Sequence, residues 1–169
     1  MRVYLLGYMY SGKSTLGRLL ASRLGYTFMD TDQAIEEKYR LTIPLFFSRY
    51  GEAAFRIVER QMLQSTAALD DTVIALGGGT PCNDDNIAFI KDHGVAIYME
   101  MSVEEIMERA MRSRKQRPLL THLSTEERHK IVESQLRERE AYYRQAHHTV
   151  HAALPQEQLL EKLVELAAS

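Results

Sequence analysis

The sequence predicts a three-layer α/β domain, with a parallel sheet and helices packed on both faces. Short apolar runs alternate with segments of helical periodicity along the whole chain, the pattern of parallel strands joined by right-handed crossover helices. A G-x-x-x-x-G-K-S pattern, Gly7-Tyr8-Met9-Tyr10-Ser11-Gly12-Lys13-Ser14, lies between the first apolar run and the first helical segment. That is the context a phosphate-binding loop requires. At 169 residues, 45% hydrophobic and 26% charged, the chain has the size of a single domain over 1–169 and can bury a core without disulfide or metal staples.

The elements follow in order. Residues 3–6 form an apolar run closed by Gly7 and read as a buried strand. Residues 14–24 carry Leu16, Leu19, Leu20 and Leu24 at helical spacing. Residues 26–29 read as a second strand, 32–40 as a helix and 43–50 as a short helical piece. Gly51 then opens a longer helix in which Phe55, Val58 and Met62 share a face. Residues 72–76 form a third strand that ends in Gly77-Gly78-Gly79, followed by a helix over 86–92 and a strand over 95–99. Ser102 with Glu105, and Ser124 with Glu127, have capping-box spacing. The second pair opens a long polar helix that runs to about Tyr143. Residues 149–151 make a last short strand, and Pro155 stands where a final helix to about Ala167 begins.

Composition excludes several classes. A formal charge of −2 leaves no basic excess for a nucleic-acid partner. No apolar run approaches the roughly 20 residues that cross a bilayer, and the apolar stretch at residues 1–7 is too short for a signal peptide. Membrane, secreted and fibrous classes are set aside. Cys82 is the single cysteine, so no intramolecular disulfide forms and a reducing, cytoplasmic setting is expected. Cys82 itself reads as a buried or half-buried small residue, not a nucleophile. The six histidines show no metal-ligand spacing, His147-His148 reads as an incidental pair, and Met99, Met101, Met107 and Met111 read as core.

Sites in such folds lie beyond the carboxyl ends of the strands. After the first strand, the backbone amides of the loop at 7–15 and the following helix N-terminus suit phosphate oxygens. Lys13 is placed to reach the β- and γ-phosphates, and the Ser14 hydroxyl to bind Mg²⁺. Tyr10 stands where many small kinases carry another glycine. After the second strand comes Asp30-Thr31-Asp32. On extended backbone both carboxylates point the same way, one to hold Mg²⁺ and the other to orient a hydroxyl or take its proton. Alternatively, Asp30 or Thr31 simply caps the next helix. The three glycines after the third strand allow a backbone to approach a ligand closely, or else form a flexible turn. No carboxylate follows that strand, which leaves Asp30 to serve the metal. Arg56, with Glu59 one turn on, Arg117 and Arg139 are either carboxylate or phosphate ligands or solvated surface charges.

Taken together, in this order, these segments resemble the shikimate kinase family. They are the phosphate loop, Asp30-x-Asp32, Gly51-Glu52-x-x-Phe55-Arg56, Gly77-Gly78-Gly79, Arg117-Pro118-Leu119, and Arg139 four residues before Tyr143. The resemblance covers essentially the whole chain. It implies a five-stranded parallel sheet of the nucleoside-monophosphate-kinase type, with a substrate-binding region at about 31–60 and a mobile lid at about 112–124. It implies transfer of the ATP γ-phosphate to the 3-hydroxyl of shikimate by a monomer, with Mg²⁺. ATP then contacts Tyr10, Ser11, Gly12, Lys13, Ser14, Thr15 and Arg117, and Mg²⁺ lies at Ser14 and Asp30. Asp32, Arg56, Gly78, Gly79 and Arg139 bind shikimate, with Glu59 supporting Arg56. Lys13, Asp32 and Arg117 serve the transfer. Arg109 or Arg112, and the loop near Gln156, are left as adenine contacts. The competing readings are a gluconate or nucleotide kinase of the same fold, and a non-catalytic nucleotide switch that leaves Asp32, Arg56 and Arg139 without a task.

Overall fold

The computed structural model describes residues 1–113 and 123–169. Strands β1 (Arg2–Leu6), β2 (Thr27–Asp30), β3 (Thr72–Ala75), β4 (Val95–Glu100) and β5 (His148–His151) form one sheet in the order β2-β3-β1-β4-β5. Every pairing is parallel. The helices among the described residues are α1 (Lys13–Leu24), α2 (Thr31–Tyr39), α3 (Ile43–Ser65), α4 (Asn86–His93), α5 (Val103–Arg112), α6 (Thr125–Tyr143) and α7 (Gln156–Ala167). This is the five-stranded parallel sheet that the resemblance implies.

The apolar runs of β1, β3 and β4 are buried along their length, as strands covered on both faces must be. Adjacent residues of β1 point to opposite layers. A Leu5 methyl lies 3.3 Å from where a Cβ on Gly17 of α1 would sit. The Tyr4 hydroxyl instead shares a 2.7 Å hydrogen bond with Thr66, beyond the end of α3. The chain leaves β1 toward β2 on one side and leaves β3 toward β4 on the other. The loops after these two neighbouring strands therefore flank the crevice where doubly wound sheets bind ligands.

Gly51, at φ 83° and ψ 169°, breaks α3 into the two helical pieces expected on either side of it. A second apolar cluster, Ile35, Phe46 and Phe55 with Tyr39, Phe47 and Val58 around them, sits between α2 and α3, apart from the main core.

Some expectations are corrected. β2 starts at Thr27 because the Tyr26 N–H is spent closing α1 on the Ala21 carbonyl (2.8 Å). Thr31 and Asp32 are not extended: Asp30 ends β2, its side chain accepts from the Gln33 N–H, and α2 begins at once. Met99, Met101 and Met107 are core, but the last turn of α5 carries Met111 to the surface, 68% exposed. His147 is not incidental, since its Nδ1 accepts the Ala96 N–H of β4 (3.0 Å). The Ser102–Glu105 capping box forms in full, and the Ser124 side chain accepts from Glu127 N–H.

Candidate active site

The phosphate loop is built around one glycine conformation. Gly12 precedes α1 at φ 88°, and no side chain caps the helix, so the amides of Lys13, Ser14 and Thr15 head α1 as donors for an anion. Ser11 is 1% exposed and its hydroxyl has no hydrogen-bond partner among the described residues. Lys13 is almost equally buried, and its ammonium donates to the carbonyls of Gly7 (2.5 Å) and Tyr8 (3.1 Å) across the loop. Tyr10 adopts φ 72°, a left-handed backbone that costs a non-glycine residue about 1–2 kcal/mol. Its carbonyl is tied down by Arg109, whose guanidinium donates to Tyr10 O and to Ala152 O, each at 2.9 Å. Of the two arginines left open for adenine, Arg109 thus joins the phosphate loop to the segment after β5. Arg112 is exposed and pairs with Glu108.

Both aspartates reach this loop, by the helix start instead of an extended strand. Ser14 donates its hydroxyl to Asp30 Oδ2 at 2.5 Å, while Asp30 Oδ1 accepts the Gln33 N–H at 3.1 Å. Capping and the site are therefore served by one carboxylate. Asp32, in the first turn of α2, lays its carboxylate against Gly77, where any side chain would overlap it. The buried Thr31 fastens the two segments, its hydroxyl accepting the Gly77 N–H at 3.1 Å.

The three glycines explain themselves by what lies on them. None has the left-handed φ that demands glycine. A Cβ on Gly78 would stand 3.0 Å from Arg139 Nη1, and one on Gly79 2.9 Å and 3.0 Å from the two terminal nitrogens of Arg56. Bare backbone thus admits Asp32, Arg139 and Arg56 side by side, each over its own glycine. Arg56 is oriented by Glu59 (2.8 Å), which is 2% exposed and whose other oxygen accepts the Thr80 hydroxyl (2.8 Å). Arg139 extends over the Tyr8 ring, 5.5 Å from its centroid. The Tyr8 hydroxyl in turn donates to Gln135. Thr80 carries no motif, Tyr143 enters the sequence pattern only by its spacing from Arg139, and Arg109 reads there as an adenine contact. Thr80 directly follows the glycines and Tyr143 lies one turn beyond Arg139, but nothing in the sequence marks Arg109 as a bridge between two carbonyls.

Gly79→Ala tests the close approach. At φ −93° alanine fits the backbone, so the new methyl displaces only the mobile end of Arg56. The fold is expected to survive, with melting within a few degrees of the parent. The KM of the acceptor is expected to rise about tenfold or more, equivalent to about 1.4 kcal/mol; an unchanged KM would reject the contact.

Cys82 is half-buried near these arginines. Burial pushes its thiol up to about 11, against smaller opposing effects of Arg139 and Arg56. The thiolate is the reacting form, so at pH 8 alkylation by iodoacetamide should run at least about 100-fold slower in the native chain than in the unfolded one. Below that value the native rate should climb about tenfold per pH unit. Arg117, and with it most of the expected lid, lies outside the described residues. Among the described residues no cluster of three or more His, Cys, Asp or Glu is arranged to hold a metal, and no helix is long and apolar enough to cross a membrane.

A phosphate loop after the central strand, facing carboxylates and cations across the crevice, is the layout of a P-loop kinase that phosphorylates a small acidic molecule. Comparison with known proteins narrows the class. The shikimate kinase family model matches residues 9–168. A shikimate kinase of Salinibacter ruber is 42% identical, over 100% of this chain and 85% of its own length. The crystal structure of the shikimate kinase from Bacteroides thetaiotaomicron superposes with a TM-score of 0.96 at 33% identity, covering 100% of this chain and 99% of that one. The Acinetobacter baumannii shikimate kinase, solved in complex with shikimate, gives a TM-score of 0.88 at 35% identity over 98% of this chain and 91% of that one. The chain belongs to the shikimate kinase family.

Proposed function

We propose that this chain transfers the γ-phosphoryl group of ATP to the 3-hydroxyl of shikimate, giving shikimate 3-phosphate and ADP in the route to aromatic amino acids. The observation that carries the reading is the trio of side chains laid on Gly77, Gly78 and Gly79, next to a phosphate loop. One carboxylate and two guanidinium groups are what an acidic polyol needs: cations for its carboxylate and an acceptor for its hydroxyl proton.

In this reading the amides from Tyr10 to Thr15 cradle the nucleotide phosphates, and Lys13 turns from the loop carbonyls to the β- and γ-oxygens. Arg56 and Arg139 grip the carboxylate of shikimate, each able to offer two parallel N–H donors. The amides of Gly78 and Gly79 face the bound acid, and Asp32 aims its hydroxyl in line and receives the proton. Glu59 holds Arg56 so that its fork does not rotate away. Arg117, in the lid segment at about 112–124, adds a cation at the transferring group.

Ser14 and Asp30 fit Mg²⁺. Their oxygens already meet at 2.5 Å, and one hydroxyl plus one carboxylate, completed by phosphate oxygens and water, is the donor set that small hard cations take in kinases. Bound there, Mg²⁺ neutralises charge on the phosphates. The working unit in this reading is a cytoplasmic monomer that acts on small molecules.

The test is ADP release from ATP and Mg²⁺ with shikimate, with gluconate and with no acceptor. Release that depends on shikimate alone supports the reading. Equal or greater release with gluconate overturns the substrate, and release without any acceptor at the same rate overturns the acceptor site.

A further inference from the structure

One buried phenol holds the glycine on which Arg139 lies. Tyr143, the last residue of α6, is 0% exposed and its hydroxyl donates to the Gly78 carbonyl at 2.5 Å. The same Gly78 carries Arg139, one helical turn earlier, whose Nη1 would stand 3.0 Å from a Cβ placed there. Its guanidinium thus lies between the Tyr8 ring on one side and Gly78 on the other. The Tyr143 ring is in turn held against Tyr98, with centroids 4.9 Å apart, and Tyr98 donates to Glu140 of α6. The phenol has little freedom to leave. Burial holds it well above the ordinary tyrosine range, so at neutral pH it is an O–H donor.

The consequence for the glycine loop follows from peptide geometry. In a trans peptide the C=O and the next N–H point in opposite directions. Holding the Gly78 carbonyl on Tyr143 therefore turns the Gly79 amide away from α6. A segment of three glycines has few intrinsic restraints, and the described residues provide this one at its centre.

We propose that Tyr143 is a positioning residue of the acceptor site: its hydroxyl locks the Gly78–Gly79 peptide, on which the Arg139 guanidinium lies, into the one arrangement that receives the substrate's carboxylate. The residue need not touch the substrate. This rests on the reading of Arg139 as a carboxylate ligand, and the experiment separates the two.

Tyr143→Phe keeps the ring and its packing and removes one oxygen. The expected result is a roughly 10- to 30-fold rise in shikimate KM, with ATP KM within about twofold of the parent. p-Aminophenylalanine at position 143 restores an N–H donor and should bring shikimate KM back to within about threefold. In an Arg139→Ala background, Tyr143→Phe should cost less than half, as a logarithm, of what it costs alone, because the two act as a unit. If Tyr143→Phe does not fold, the aminophenylalanine chain is compared with 3,5-difluorotyrosine at the same position. Both fill the same space and differ in donor strength, and a change in shikimate KM with no change in ATP KM supports the proposal. The proposal falls if Tyr143→Phe lowers the melting temperature but leaves shikimate KM within twofold, if both KM values rise together, or if the two variants are additive. If Arg139→Ala itself leaves shikimate KM unchanged, the carboxylate site is misassigned and the positioning role falls with it.

Discussion

Replacing Asp32 with alanine is expected to cut turnover by about 10²- to 10⁴-fold while ATP still binds. Asp32 is the carboxylate that lies on Gly77, and among the described residues it is the acidic side chain nearest to a Cβ placed on Gly77, Gly78 or Gly79. Loss of a positioned base typically costs about 10²- to 10⁴-fold in rate, so kcat should fall into that range. The dissociation constant for ATP, measured by titration calorimetry, should stay within about threefold. The fold should persist, because the cap of α2 belongs to Asp30 and the tether to Gly77 belongs to Thr31. A variant that keeps near-parental kcat removes Asp32 from the proton's path. Asp32→Asn adds a second readout: its amide retains the shape and a hydrogen-bonding oxygen, so any activity it recovers over alanine measures orientation as distinct from proton transfer.

The second large effect is expected at Arg139, and it falls on a different constant. Arg139→Ala removes one of the two cations laid on the glycines, and binding of a small anion depends on such charged hydrogen bonds. The loss of one partner from a buried charged pair costs about 2–4 kcal/mol, which is roughly a 30- to 1000-fold rise in shikimate KM. ATP KM should change little, since Arg139 lies on Gly78 and meets the phosphate loop at the Tyr8 ring, outside the amides of residues 10–15 that cradle the phosphates. A rise of tenfold or less in shikimate KM, matched by an equal rise for ATP, would reject the clamp. Together the two variants separate chemistry from binding: one acts on kcat, the other on KM.

The central strands β1, β3 and β4 are legible in the sequence because each carries an apolar run, the pattern a sheet buried on both faces requires; the edge strands β2 and β5 are short and partly exposed, and their bounds differ by a residue from those expected. The phosphate loop is legible for a different reason: its chemistry is carried by backbone and a contiguous motif. Asp30 stands on the extended backbone expected of it, whereas Asp32 sits in the first turn of α2. Whether a residue after a strand stays extended depends on which carboxylate wins the cap, and Asp30 takes the Gln33 N–H. The role of the glycines was legible only in outline. Their spacing announces a close approach, but which side chains approach is decided by α2, α3 and α6, far apart in sequence. Contacts that end on backbone groups are the least visible. Arg109 on Tyr10 and Ala152, Tyr143 on Gly78, and His147 on the Ala96 amide have no motif, because every residue offers the same backbone groups.

The glycine loop also works as a ruler. Asp32, Arg139 and Arg56 come from three different helices, yet each is seated on a consecutive residue of one short segment beyond β3. Their mutual spacing is therefore set by the repeat of a single backbone and not by the three helices separately. Mutational damage should divide accordingly. Lesions in α2, α3 or α6 disturb one seat at a time and can be compensated locally, whereas inserting or deleting one residue between β3 and Thr80 shifts all three seats in register, and no single second-site change restores them.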